Sequence, residues 1–117
     1  MLDSDAPHLQ ITAARQGDAV VLSPVGDVDL TASSSFRAEL KKTLEQRPAR
    51  VVVDLTGVPY MDSSGVATLV EAMQVARRSK IKLVLCCLQD RVRSIFEIAK
   101  LDMVFTIVGD VGDAMAA

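Results

Sequence analysis

The sequence predicts a single α/β domain built on a mostly parallel sheet of four to five strands, opened by an N-terminal antiparallel hairpin and flanked by three to four helices. Three observations predict it. The hydrophobic period switches repeatedly between two and about 3.6 along the chain. The later apolar runs, such as Val51-Val52-Val53 and Leu83-Val84-Leu85, are continuous rather than alternating, which suits strands covered on both faces. Finally, strand and helix patterns alternate after the first two strands, which implies right-handed crossovers and parallel pairing.

The elements follow in order. Leu9, Ile11 and Ala13 alternate with polar neighbours, Gln16-Gly17-Asp18 supplies turn chemistry, and Ala19 to Val25 is again strand-like. Pro24 lacks a donor, so it predicts a bulge or an unpaired edge in the second strand. Ala32, Phe36, Leu40 and Leu44 recur every fourth residue, giving a helix capped by Thr31 and stopped by Pro48. Val51 to Leu55 is a strand, and Val66, Leu69, Val70 and Met73 mark a second helix ending in Arg77 and Arg78. Ile81 to Cys87 is a further strand, Val92, Ile95, Phe96 and Ala99 a third helix, Val104 to Val108 a last strand, and about Asp110 to Ala116 a short final helix. No repeat or linker divides residues 1–117, and the ordered core is expected over about residues 8–110.

Composition narrows the function. Half of the residues are apolar and the formal net charge is −2, so no global electrostatic case exists for nucleic acid or an anionic membrane. The basic residues Arg77, Arg78, Lys80, Lys82, Arg91 and Arg93 are read as a solvated face. Met1 to Pro7 lacks the basic and apolar segments of a secretory signal, and Ile81 to Leu88 is too short to span a bilayer. A cytoplasmic protein without membrane insertion is therefore expected. Cys86 and Cys87 are neighbours with Cα atoms about 3.8 Å apart, closer than a relaxed disulfide prefers. They read as buried reduced thiols, and no metal or cofactor is expected, because metal-ligand spacings normally leave residues between cysteines.

One junction carries chemistry. In open α/β sheets, ligands meet the carboxyl ends of strands where loops enter helices. Asp62-Ser63-Ser64-Gly65 stands at such a place, just before the Val66 helix, where free amides and the helix dipole receive an anion. A serine there caps the helix, orients the loop or accepts a phosphate; a cap needs only one serine and leaves the other available. Gly26-Asp27-Val28-Asp29, ending the second strand, would add Asp27 and Asp29 to an acidic rim if that strand neighbours the third. A serine hydrolase would need a base, and the only histidine is His8, in the N-terminal segment.

Val53-Asp54-Leu55 followed by Met61-Asp62-Ser63-Ser64-Gly65-Val66, with Gly26-Asp27-Val28-Asp29 upstream, resembles the STAS domain family, in particular the bacterial anti-sigma factor antagonists. The likeness covers nearly the whole chain. It implies that Ser63, the residue after the aspartate, is phosphorylated by an anti-sigma factor that is also a serine/threonine kinase, and is restored by a serine phosphatase. Unmodified protein would bind the anti-sigma factor and free a sigma factor; phosphorylated protein would not. Asp29, Asp62, Ser64 and Gly65 match positions around the acceptor, on a rim facing the partner and its nucleotide, and Asp27 stands where the family often has Glu. Two departures fall in turns where the family often has glycine: Ser79-Lys80-Ile81 and Ala99-Lys100-Leu101. Other members of the family are soluble subunits or regulatory modules of membrane transport systems, including lipid transporters, which gives an alternative reading.

Overall fold

The computed structural model describes residues 9–117. Five strands form one sheet in sequence order: β1 (Gln10–Gln16), β2 (Ala19–Val25), β3 (Arg50–Asp54), β4 (Lys82–Cys86) and β5 (Thr106–Val108). β1 and β2 are antiparallel, and every later neighbour is parallel. The hairpin closes through Gly17-Asp18, with Gly17 at φ +63° in the first turn position, where a type II′ turn requires a positive φ.

Helices α1 (Ser33–Glu45), α2 (Ser63–Arg78) and α3 (Asp90–Ile98) each connect one parallel strand to the next. Because every crossover steps the same way across the sheet with the same hand, all three fall on one face. There Phe36, Leu40, Leu69 and Phe96 bury fully against Leu22, Val51, Val53 and Leu85. α4 (Val111–Ala116) covers the other face, packing Ala114 on Val21, Val52, Val84 and Cys86, and Arg50 Nη1 holds it by donating to the Ala114 carbonyl at 2.9 Å and to that of Ala117. β3 and β4 are thus covered on both sides, as their unbroken apolar runs require. The packed chain runs on to Ala114, past residue 110.

One expectation is resolved between its two alternatives, and two are corrected. Pro24 makes no bulge but does stand at an unpaired edge: it pairs with Ile11 in unbroken register, while the β2–β3 ladder ends two residues before it, at Leu22–Val53. The Gly26 amide points to the β3 side, where it donates to the Gly57 carbonyl, and Pro24, two residues earlier, faces the same way. Its missing donor falls where no ladder partner exists.

Thr31 does not cap α1. The N-cap is Ala32, without a side-chain cap, and Asp29 supplies the oxygen atoms instead: its carboxylate accepts from the Ala32 amide at 3.0 Å and its carbonyl from Ser33 at 2.9 Å. The last strand starts at Thr106 rather than Val104. Leu101–Met103 is a 3₁₀ turn, and the Leu101 carbonyl accepts from Val104 and Phe105, which turns the Phe105 ring edge-on to Phe96 with centroids 5.5 Å apart.

Arg47, Lys80 and Lys100 each follow a helix with φ between 55° and 59°, the left-handed conformation that glycine adopts freely. In the two turns where the resemblance implies glycine, 79–81 and 99–101, Lys80 and Lys100 therefore adopt a glycine-like backbone. A cation near each helix C-terminus offsets part of the strain.

Candidate functional site

The loop from β3 to α2 and the segment from β2 to α1 run side by side beyond the carboxyl ends of their strands. Val25 bridges Gly57 and Val28 bridges Met61, both in parallel sense. The Val28 amide donates to the Tyr60 carbonyl at 3.0 Å and the Asp62 amide to the Val28 carbonyl at 3.2 Å. The condition set by the sequence, that β2 lie next to β3, is met, and it brings residues 25–30 against residues 57–62.

Asp62 joins them. It is the N-cap of α2 in extended conformation. Its Oδ1 accepts from the Ser64 amide (2.9 Å), the Ser64 hydroxyl (2.5 Å) and the Gly65 amide (3.3 Å), while Oδ2 accepts from the Leu30 amide (3.1 Å). The Ser64 hydroxyl holds this carboxyl below its ordinary 3.8; desolvation opposes the shift, and the Gly65, Ser64 and Leu30 amides add to it. One carboxylate thus starts the helix and ties both loops.

Gly65 sits where the helix passes closest to the other loop. A Cβ there would stand 2.7 Å from Met61 Cγ and 2.8 Å from both Val28 Cγ1 and the Val28 carbonyl oxygen, and the backbone cannot yield that space. Glycine is required by contact, not by φ.

The two serines separate clearly. Ser64 is half-buried and committed to Asp62. Ser63 is the first residue of α2, exposed, and outside the Asp62 network, at the positive end of a helix of 16 residues. The cap is the aspartate, so neither serine is used as one.

Asp62, Ser64 and Gly65 are brought together directly. Asp29 is joined through its neighbour Leu30 but spends its carboxylate on the start of α1. Asp27 is exposed and takes no part in the network. His8 lies outside the described residues. Three features carried no sequence signal: the Leu30 amide as a partner of Asp62, the fit of Val28 against Gly65, and the exposed side chains of Leu30 (76% exposed) and Tyr60 (41%) on the two joined loops. Only pairing between distant segments creates them.

A second cluster lies at the ends of β3 and β4. Ligand atoms of Asp54, Cys86 and Cys87 all fall within 4.8 Å of one another. Burial pushes the Cys86 thiol up, with Cys87 and the charges of Asp54 and Asp110 adding. Among the described residues, no helix is long and apolar enough to cross a membrane.

Comparison with known proteins bears on this geometry. The family model of the STAS domain matches residues 10–114. The anti-sigma-B factor antagonist of Listeria monocytogenes is 30% identical over 93 residues, covering 80% of this chain and 82% of the relative. Among solved structures, an anti-sigma factor antagonist from Mycobacterium paratuberculosis superposes with a TM-score of 0.86 at 17% identity, over 96% of this chain and 93% of the other. The Bacillus cell fate determinant SpoIIAA in its phosphorylated form gives 0.69 at 19% identity, over 92% and 96%. At these identities the structural likeness is one of fold.

Proposed function

The chain belongs to the STAS domain family, and from that premise we propose that it is an anti-sigma factor antagonist switched by phosphorylation of Ser63. The observation that carries the reading is the exposed Ser63 hydroxyl at the start of α2, left out of the network that engages Asp62, Ser64 and Gly65. A kinase can reach it without dismantling the helix start.

The role is regulatory rather than catalytic. Asp62, the one carboxylate beside the serines in this network, is bonded on both oxygens, and the only histidine of the chain is His8. Unmodified, the protein binds an anti-sigma factor that is also a serine/threonine kinase and so frees a sigma factor. Phosphate on Ser63 ends that binding, and a serine phosphatase restores it. Asp62 and Asp29 give the docking rim its negative charge, with Asp27 farther along the same loop. Leu30 and Tyr60 supply apolar contact beside it.

The test is incubation of the protein with ATP and extract of its native organism, followed by intact mass and peptide mapping, beside pull-down of the partner. Near-stoichiometric phosphate on Ser63, absent from Ser63→Ala, together with loss of the partner from the phosphorylated form, is the expected result. Absence of phosphate from Ser63, or capture of the partner by Ser63→Asp at wild-type strength, overturns the switch. Absent phosphate combined with recovery of a membrane transport complex would assign the chain to the transporter-subunit role instead.

A further inference from the structure

We propose that Cys86, Cys87 and Asp54 form a binding site for a thiophilic divalent cation of the zinc type, independent of the Ser63 switch. Adjacent residues in a strand point to opposite faces, and so would two ordinary neighbouring cysteines. Here Cys87 leaves the strand with φ +66°, which breaks the alternation. Both thiols come to the same face of the sheet, with Sγ atoms 2.9 Å apart; Cys86 is buried there and Cys87 is half-buried beside it.

The third ligand comes from the neighbouring strand. Asp54 pairs with Cys86 across the β3–β4 ladder. Its Oδ1 is fixed by the Thr56 amide at 3.0 Å and the Thr56 hydroxyl at 2.6 Å, the outer-shell support that oriented metal carboxylates usually have, and Oδ2 is left for a ligand. A tetrahedral zinc site, with Zn–S about 2.3 Å and Zn–O about 2.1 Å, spaces its donors by about 3.5–3.8 Å. The three donor atoms here lie within 4.8 Å of one another, so a small rotation of the cysteine side chains opens the pair to that spacing. Two thiolates and one carboxylate leave a fourth position for water, on the side where Cys87 reaches solvent.

The charge distribution selects a cation over an oxidant. Reactive thiols that form disulfides sit in electropositive surroundings that favour the thiolate. Here the third group is a carboxylate, Asp54, whose donor oxygen lies within 4.8 Å of both sulfurs, and an acidic group so placed attracts a cation. On binding, each thiol gives its proton to solvent and its sulfur lone pair to the metal; no electron is transferred and no oxidant is needed.

The test uses the full chain, reduced and stripped with chelator, titrated with Zn²⁺ against a chromophoric competing chelator and with Co²⁺ followed by absorption. Expected are one metal per chain and thiolate-to-cobalt charge-transfer bands. In Cys87→Ser, whose half-exposed position keeps the fold intact by circular dichroism, the bands fall to about half or less per chain, because only the Cys86 thiolate remains. In Asp54→Asn the affinity falls about tenfold or more. The proposal fails if wild type shows no thiolate bands, if the bands keep their full intensity in Cys87→Ser, or if the metal-free protein in air loses two hydrogens by mass, which would make the thiols a redox pair.

Discussion

Replacing Asp62 by alanine tests the central joint of the fold. The carboxylate accepts three bonds from the first turn of α2 and one from Leu30, 32 positions away in sequence. Loss of an N-cap oxygen costs about 1 kcal/mol. Loss of a charge-assisted bond between two loops adds about 1 kcal/mol at this degree of exposure. Asp62→Ala should therefore cost about 2 kcal/mol, which for a domain of this size lowers Tm by about 8 °C. Asparagine is an equally good cap, but its amide nitrogen cannot accept from Leu30, so Asp62→Asn should cost about half as much. Because the folded carboxyl titrates below its ordinary value, its contribution is complete above about pH 4 and is lost as pH falls through the folded pKa. Urea unfolding followed by circular dichroism, from pH 7 downward, reads both effects, with the gap between wild type and Asp62→Asn closing on acidification. An Asp62→Ala protein within about 0.5 kcal/mol of wild type, or an Asp62→Asn gap that does not change with pH, would refute the reasoning.

Gly65→Ala should destabilise the fold by about 1–3 kcal/mol in urea melts despite alanine's helix preference, because its Cβ meets the Val28 carbonyl oxygen at 2.8 Å. Lys80→Gly and Lys100→Gly should each stabilise by about 0.5–1 kcal/mol, since both lysines hold φ 59°; a lower midpoint in both would show that helix-end charge outweighs backbone strain. Ser63→Glu should leave Tm within about 2 °C of wild type, since an acid in the first turn of a helix is favourable and no Asp62 bond is lost, while weakening partner capture.

The elements were legible because burial imposes a period. The continuous apolar runs of β3 and β4 announced strands covered on both faces, and the fourfold spacing of Phe36, Leu40 and Leu44 announced α1. What escaped depends on pairing between distant residues or on backbone strain. Thr31 is an ordinary cap residue, but Asp29 reaches the same amides first. Val104 and Phe105 look like strand residues, yet the Leu101 carbonyl holds both amides and Phe96 claims the ring. At the site, the serines could be placed at a helix start but not ranked by spacing alone. The Ser64–Asp62 bond distinguishes them, and it exists only because the loop folds back on its own aspartate. The cysteine pair escaped for a related reason: a positive φ at Cys87 cancels the alternation on which any reading of neighbouring residues relies.

The same bond explains how the proposed switch works without moving the fold. Phosphate on Ser64 would break the 2.5 Å contact with Asp62 and unfasten α2, whereas phosphate on Ser63 leaves the cap intact and changes only the field. That field gains about −1.5 to −2 charges next to Asp62. Two like unit charges about 5 Å apart repel by about 0.8 kcal/mol in water and about 3.3 kcal/mol at an effective dielectric of about 20, the condition of a closing interface. Docking therefore raises the repulsion by about 2.5 kcal/mol, and the helix N-terminus returns about 0.3–1 kcal/mol. The remaining 1.5–2.2 kcal/mol, about 10- to 40-fold in affinity, arises only when a partner excludes water. It follows that Asp62→Asn in the phosphorylated protein should recover much of the lost binding in calorimetric titration with the anti-sigma factor. Equal loss with and without the Asp62 charge would place the penalty in the partner's own surface instead.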